Sequence, residues 1–228
     1  MLNREDIINN FLKQAENQVK LKPGLFDEEL IDRLKRIDSY PKISPEGLIK
    51  PGYNQYLLYL KMLVNNFSIN CNIIEVGGGI IPIFAKYVAQ EQLKTGFGTI
   101  TVYDPKLLSS NNSEYSNMLL YKEPVTSKTD LSKYDLVIGI MPCLGTDITL
   151  KLIEEYSKDF FIVLCGCDHT KYDLNNHGNY GYRPSYNDYI EEARRICDEN
   201  NLGDLIIDYL PGSSSFNNPI IYNKRKHG

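Results

Sequence analysis

Tryptophan is absent from the 228-residue chain, histidine occurs three times, and no C-x-x-C pair is present among the five cysteines. No apolar stretch approaches the roughly 20 residues that a membrane-crossing helix needs, so a spanning helix is not expected. Residues 1–14 have no apolar core behind a basic start, the pattern of a secretory signal, and the expected location is the cytoplasm. An odd number of cysteines at irregular spacings makes no disulfide framework and agrees with free thiols in a reducing compartment. Positive charge is not in excess either. A net charge of −4 argues against a protein that grips nucleic acid through its phosphates, although it leaves room for a local basic groove. No internal repeat or low-complexity tract occurs. With 42% hydrophobic and 24% charged residues, the chain reads as an ordinary globular protein: one domain with an appendage, or at most two small domains.

The most informative segment is Asn72-Ile-Ile-Glu-Val-Gly-Gly-Gly-Ile-Ile-Pro-Ile-Phe-Ala-Lys86. An apolar, β-prone strand ends in Gly77, Gly78 and Gly79, and an amphipathic helix follows at once. Glycines let backbone approach a ligand closely, and the helix N-terminus behind them presents free N–H groups. Pro82 suits the first helical turn, where its missing N–H costs nothing. A nucleotide-type cofactor turn is expected. The dinucleotide fingerprint G-x-G-x-x-G lacks its third glycine, since Pro82 stands in that place. Glu75 lies two positions before the first glycine, where a carboxylate suits a cation or a ribose better than a pyrophosphate.

Helical periodicity marks residues 3–21, a second segment that Asp27 caps, and a third over 54–65, so residues 1–66 read as a helical leading segment. From residue 67 to 228, strands and helices alternate. Strands are predicted at 72–76, 98–103, 119–125, 134–140, 160–165, 204–209 and 220–224, with helices at 82–93, 147–156 and 186–200. The last two strands are joined without room for a crossover helix and should be antiparallel. The expected fold is α/β: a doubly wound, seven-stranded, mostly parallel sheet with an antiparallel C-terminal strand.

Ligands of such sheets bind beyond the carboxyl ends of the strands. Glu75, the three glycines, Asp104, Met141, Cys143, Cys165, Cys167, Asp168 and His169 should therefore line one crevice. Asp104 closes the second strand, where a carboxylate could accept two vicinal hydroxyls or simply cap the Asp-Pro turn that follows. Cys165, Cys167 and His169 alternate, and with Cys143 they could hold zinc. Free cysteines with no metal are expected. Asp168 and His169 are the candidates for a general base. Tyr180 and Tyr182, on a tyrosine-rich loop after the fifth strand, Tyr53, before the third helix, and Cys143, after the fourth strand, could contact a substrate.

The Glu-Val-Gly-Gly-Gly pattern at 75–79 resembles motif I of the class I S-adenosylmethionine-dependent methyltransferases, and the resemblance extends over about residues 70–225. It implies a Rossmann-like domain, S-adenosylmethionine as cofactor, and Glu75, Gly77, Gly78, Gly79, Asp104 and Met141 as cofactor contacts, with Asp104 on the ribose hydroxyls. The acid that such proteins place after the third strand to hold adenine would be Asp130. Amino-group methyltransferases commonly carry Asn/Asp-Pro-Pro-aromatic after the fourth strand. Met141-Pro142-Cys143-Leu144 keeps the proline and loses the polar first residue. Residues 142–147 and 165–169 also resemble, loosely, a branch with transfer-RNA ribose methyltransferases, without its flanking zinc-finger segments. A small-molecule acceptor is favoured and RNA stays open. The alternatives are a nicotinamide-dependent oxidoreductase, an aminopropyl-type transferase, and a non-catalytic module that binds an adenosyl cofactor or a partner.

Overall fold

The computed structural model describes residues 51–79, 82–107, 115–142, 145–165, 186–210 and 218–225. The helices expected at 3–21 and after Asp27 lie outside them, as do Cys143, Cys167, Asp168, His169, Tyr180 and Tyr182. Residues from Gln55 onward form a compact unit by themselves.

In chain order the elements are α1 (Pro51–Asn66), β1 (Asn72–Val76), α2 (Ile83–Thr95), β2 (Thr99–Tyr103), β3 (Met118–Tyr121), β4 (Leu136–Ile140), α3 (Thr146–Tyr156), β5 (Asp159–Val163), α4 (Tyr186–Glu199), β6 (Asp204–Asp208) and β7 (Ile220–Lys224). The alternation predicted from periodicity is present strand for strand. Most boundaries fall within two residues of the expected ones, and two move further, for local reasons. The third helix starts at Pro51 rather than 54, because proline is tolerated in a first helical turn. The third strand ends at Tyr121 rather than 125, three residues before Pro124, which has no N–H to give to a ladder.

The seven strands lie in the order β3-β2-β1-β4-β5-β7-β6. All neighbours are parallel except those of β7, which runs antiparallel to both β5 and β6. The chain leaves β1 toward β2 and β3, then returns to place β4 on the other side of β1. The order therefore reverses between β1 and β4, and a crevice is expected at their carboxyl ends.

The central strands are buried on both faces, which is why they read as apolar runs rather than alternations. One face packs Ile73, Val102 and Ile138 against Tyr59 and Leu63 of α1 and Phe84 and Val88 of α2. The other packs Ile74, Val137 and Phe160 against Leu150 and Ile153 of α3 and Ile196 of α4. Two buried amides brace this frame. Gln92 donates to the carbonyls of Ile69 (2.8 Å), Cys71 (3.1 Å) and Thr99 (3.3 Å), tying α2 to the amino ends of β1 and β2. Asn223 of β7 accepts from the Phe160 N–H and donates to Asp159 and to the Leu202 carbonyl, each at 2.8 Å. A buried amide left unpaired would be costly, so such full satisfaction fixes strand position.

Candidate functional site

The three glycines after β1 meet three different surroundings. A Cβ on Gly77 would lie 2.8 Å from Cα of Pro142, so the turns after β1 and β4 touch backbone to backbone. A Cβ on Gly78 would lie 2.4 Å from Cγ1 of Val102, so the second glycine is pressed onto β2. At Gly79 nothing lies within 4 Å of that position among the described residues. The first and third glycines have φ of +75°, a backbone state that side chains disfavour. The turn is thus packed on two sides and open at its last residue.

Asp104 organises the open end. It is 8% exposed, and its Oδ2 accepts the Gly79 N–H at 2.8 Å while Oδ1 accepts the Lys106 N–H at 2.6 Å. The cap foreseen for an Asp-Pro turn is therefore real, and the same carboxyl also holds the glycine turn. Each oxygen keeps a second lone pair for a further donor.

Glu75 is 1% exposed, between Val102 of β2 and Ile138 of β4 in the register of the sheet. It accepts the backbone N–H of Ala85 near the start of α2, where Pro82 provides no side-chain cap. Among the described residues its Oε2 has no hydrogen-bond partner. Burial, and then the nearby Asp104, push its carboxyl up to about 8, against a smaller opposing pull from the Ala85 N–H. The folded state then binds the proton more tightly than the unfolded chain. The contribution of Glu75 to stability is greatest below its ordinary carboxyl range and falls as pH rises toward 8.

The turn after β4 is strained and has partners that the sequence did not suggest. Met141 has φ of +55°, unusual for a residue with a side chain, while its N–H donates to Val163 of β5. The Asn218 amide donates to the Met141 sulfur at 3.2 Å, and the Tyr186 hydroxyl donates to Asn218 Oδ1 at 2.8 Å. Residues 141, 186 and 218 come from the turn after β4, the start of α4 and the approach to β7. No spacing in the chain joins them. A polar side chain thus reaches this turn from elsewhere, in place of the polar residue missing from position 141.

Asp130, the candidate for an adenine contact, is not brought to the crevice. Because β3 ends at Tyr121, the 122–135 connection must run back to the amino ends of the strands, and Asp130 is exposed in its second half with the Ser132 N–H on its carboxyl. Ser132 in turn accepts from Lys158, just before β5. The end of β3 instead supplies Tyr121, whose ring stacks on Tyr103 at 4.8 Å and 8°. Tyr53 lies on α1, and its side chain is outside the described residues. Cys165 is half-buried just past β5. Among the described residues, no group of His, Cys, Asp and Glu could hold a metal ion.

No family model matches the chain, and no curated protein sequence matches it. Solved structures do. The CMeT domain of a citrinin polyketide synthase aligns with a TM-score of 0.53 at 12% identity, over 89% of this chain and 58% of that one. A mutant of MtNAS in complex with S-adenosylmethionine aligns at 0.46 and 13% identity, over 98% and 76%. The apo S-adenosylmethionine-dependent methyltransferase SibL aligns at 0.45 and 12%, over 96% and 70%. The fold expected from the Glu-Val-Gly-Gly-Gly turn is the fold found: the Rossmann-like fold of the class I methyltransferases, with its reversed strand β7.

Proposed function

We propose that this chain, on a class I methyltransferase fold, binds S-adenosylmethionine at the 77–79 turn and transfers its methyl group to an acceptor, with a small molecule favoured. The observation that carries the reading is the pair of carboxyl groups at the turn. Glu75 lies beneath Gly78 and takes the Ala85 N–H of α2, and Asp104 takes the N–H of Gly79. A nicotinamide dinucleotide would need those donors for its pyrophosphate and would meet acidic side chains on them instead. A cation with ribose hydroxyls suits the same groups. The open space at Gly79 and the unpartnered Oε2 of Glu75 fit such a ligand.

When bound, the cofactor would supply a methyl carbon already activated by its sulfonium. Asp104 would hold ribose hydroxyls with its free lone pairs, and Gly79 would let the ligand lie against backbone. Met141 would contact the cofactor, and Asn218 and Tyr186 beside it would line the acceptor side, where alignment and exclusion of water are the protein's main contributions. Among the described residues no helix is long and apolar enough to cross a membrane, and Cys71, Cys165 and Cys197 form no disulfide, which supports a cytoplasmic location.

A thermal-shift panel of S-adenosylhomocysteine, S-adenosylmethionine and NAD tests the reading. Stabilisation by the two adenosyl ligands is expected. Stabilisation by NAD alone would overturn it, and by none would favour a non-catalytic interaction module. Asp104→Ala should weaken S-adenosylhomocysteine at least tenfold by calorimetry, the scale of one or two charge-assisted hydrogen bonds at about 1.5–3 kcal/mol each. Unchanged affinity would remove Asp104 from the site.

A further inference from the structure

We propose that Glu75 tells the charged methyl donor from its spent product by a proton: the carboxyl is protonated in the free protein and releases its proton to solvent when the cationic sulfonium of S-adenosylmethionine enters, whereas neutral S-adenosylhomocysteine leaves it protonated. The inference rests on the cofactor reading above.

The geometry leads to it in three steps. First, Glu75 is fully buried one residue before the carboxyl end of β1, and its Oε2 meets no donor among the described residues. An ionised carboxylate in that position lacks a counter-charge, and burial of an unpaired charge is avoided by taking up a proton. Second, among the described residues the surrounding elements do not supply the missing cation. The neighbouring strands place Val102 and Ile138 beside it. The end of β2 brings Asp104, of the same sign. On this face of the sheet α1 contributes Tyr59, whose phenol burial pushes up to about 12. α2 gives the Ala85 N–H, with Lys86 half-buried on the next residue. The carboxyl stays raised to about 8 in the presence of all of them. Third, the oxygen lies directly under the turn that the ligand would occupy, since a Cβ on Gly78 would be 3.4 Å from Oε2. In a site that excludes water, one positive charge close by acts far more strongly than it would in solvent and favours the ionised form.

Both adenosyl ligands carry the same amino acid and ribose groups and differ in the methyl group and the positive charge it gives the sulfur. A methyl group alone displaces no proton, so a difference in proton release between the two reports the charge. Exchange of a methyl donor for its product would return the proton to Glu75, so the carboxylate is present only while the donor is bound. Product inhibition would be relieved by the same group that favours the donor.

Calorimetry of the full chain in two buffers of different ionisation enthalpy counts the protons. With a carboxyl near 8, about 0.9 proton should be released per S-adenosylmethionine at pH 7, and close to none per S-adenosylhomocysteine. Affinity for the donor should rise roughly tenfold per pH unit below pH 8 and then level off, while that for the product stays flat. Glu75→Gln should abolish the proton release and flatten the pH profile of the donor. If that variant does not fold, the comparison of the two ligands on the native chain decides alone. Equal release for both ligands, or none for the donor, overturns the inference while binding itself upholds the cofactor reading. If neither ligand binds, the cofactor reading fails instead.

Discussion

Gly203→Ala is expected to destabilise the protein by about 4 kcal/mol, near the top of what single substitutions do. Gly203 joins the end of α4 to β6 with φ of +90°, and a Cβ there would lie 2.2 Å from the carbonyl oxygen of Lys224 and 2.7 Å from Cα of Arg225. Those atoms are backbone at the end of β7, opposite the first pair of the β6–β7 ladder. No rotamer change relieves such a contact, so either the ladder parts or the turn is rebuilt. The substitution also imposes a left-handed backbone on a residue with a side chain, at roughly 1 kcal/mol. For a chain of this size the melting temperature should fall by about 10 °C. A fall under about 3 °C would show that β6 gives way without cost to the rest of the sheet.

The second large effect separates packing from binding at the glycine turn. Gly77→Ala and Gly79→Ala meet the same φ of +75° and hence the same conformational cost, about 1 kcal/mol. Gly77→Ala also drives a methyl group to 2.8 Å from Pro142 Cα, and it should cost a further 2 kcal/mol or so as the turns after β1 and β4 separate. Gly79→Ala meets nothing among the described residues, so it should fold with a melting temperature only a few degrees lower. Its methyl group would instead occupy the open space in front of the Asp104-bound N–H. We expect it to remove most of the thermal stabilisation that S-adenosylhomocysteine gives the native chain. Full stabilisation of Gly79→Ala would place the ligand elsewhere. Equal melting temperatures for the two variants would show that the β1–β4 contact does not bear on stability.

Most of the sheet was legible because burial on both faces leaves a mark in the chain. Ile73, Ile74 and Val76 contribute to both cores at once, and such a run is read as a strand without knowing its neighbours. The reversed strand β7 was legible from its short connection to β6, since a parallel pairing needs a crossover. The part of the site that follows one strand end, residues 75–79 with Asp104 across from them, was legible for the same local reason. Asp130 was misplaced because a connection without a helix gives no sign of which end of the sheet it has reached. Asn218 and Tyr186 were missed because the Asn218–Met141 and Tyr186–Asn218 contacts span 77 and 32 positions of sequence, with no shared period.

The sequence by itself determined the strand-and-helix order, the reversal at β7 and the glycine turn with its acidic neighbours, since each depends on interactions within a few residues or on apolar periodicity. Only the tertiary structure decided what those neighbours face. Glu75 could have been a solvated strand end. It lies instead under Gly78 with one oxygen unpartnered, because β2, β4 and α2 close around it together. Burial of a charge is a property of everything that surrounds it, and no stretch of chain records that alone.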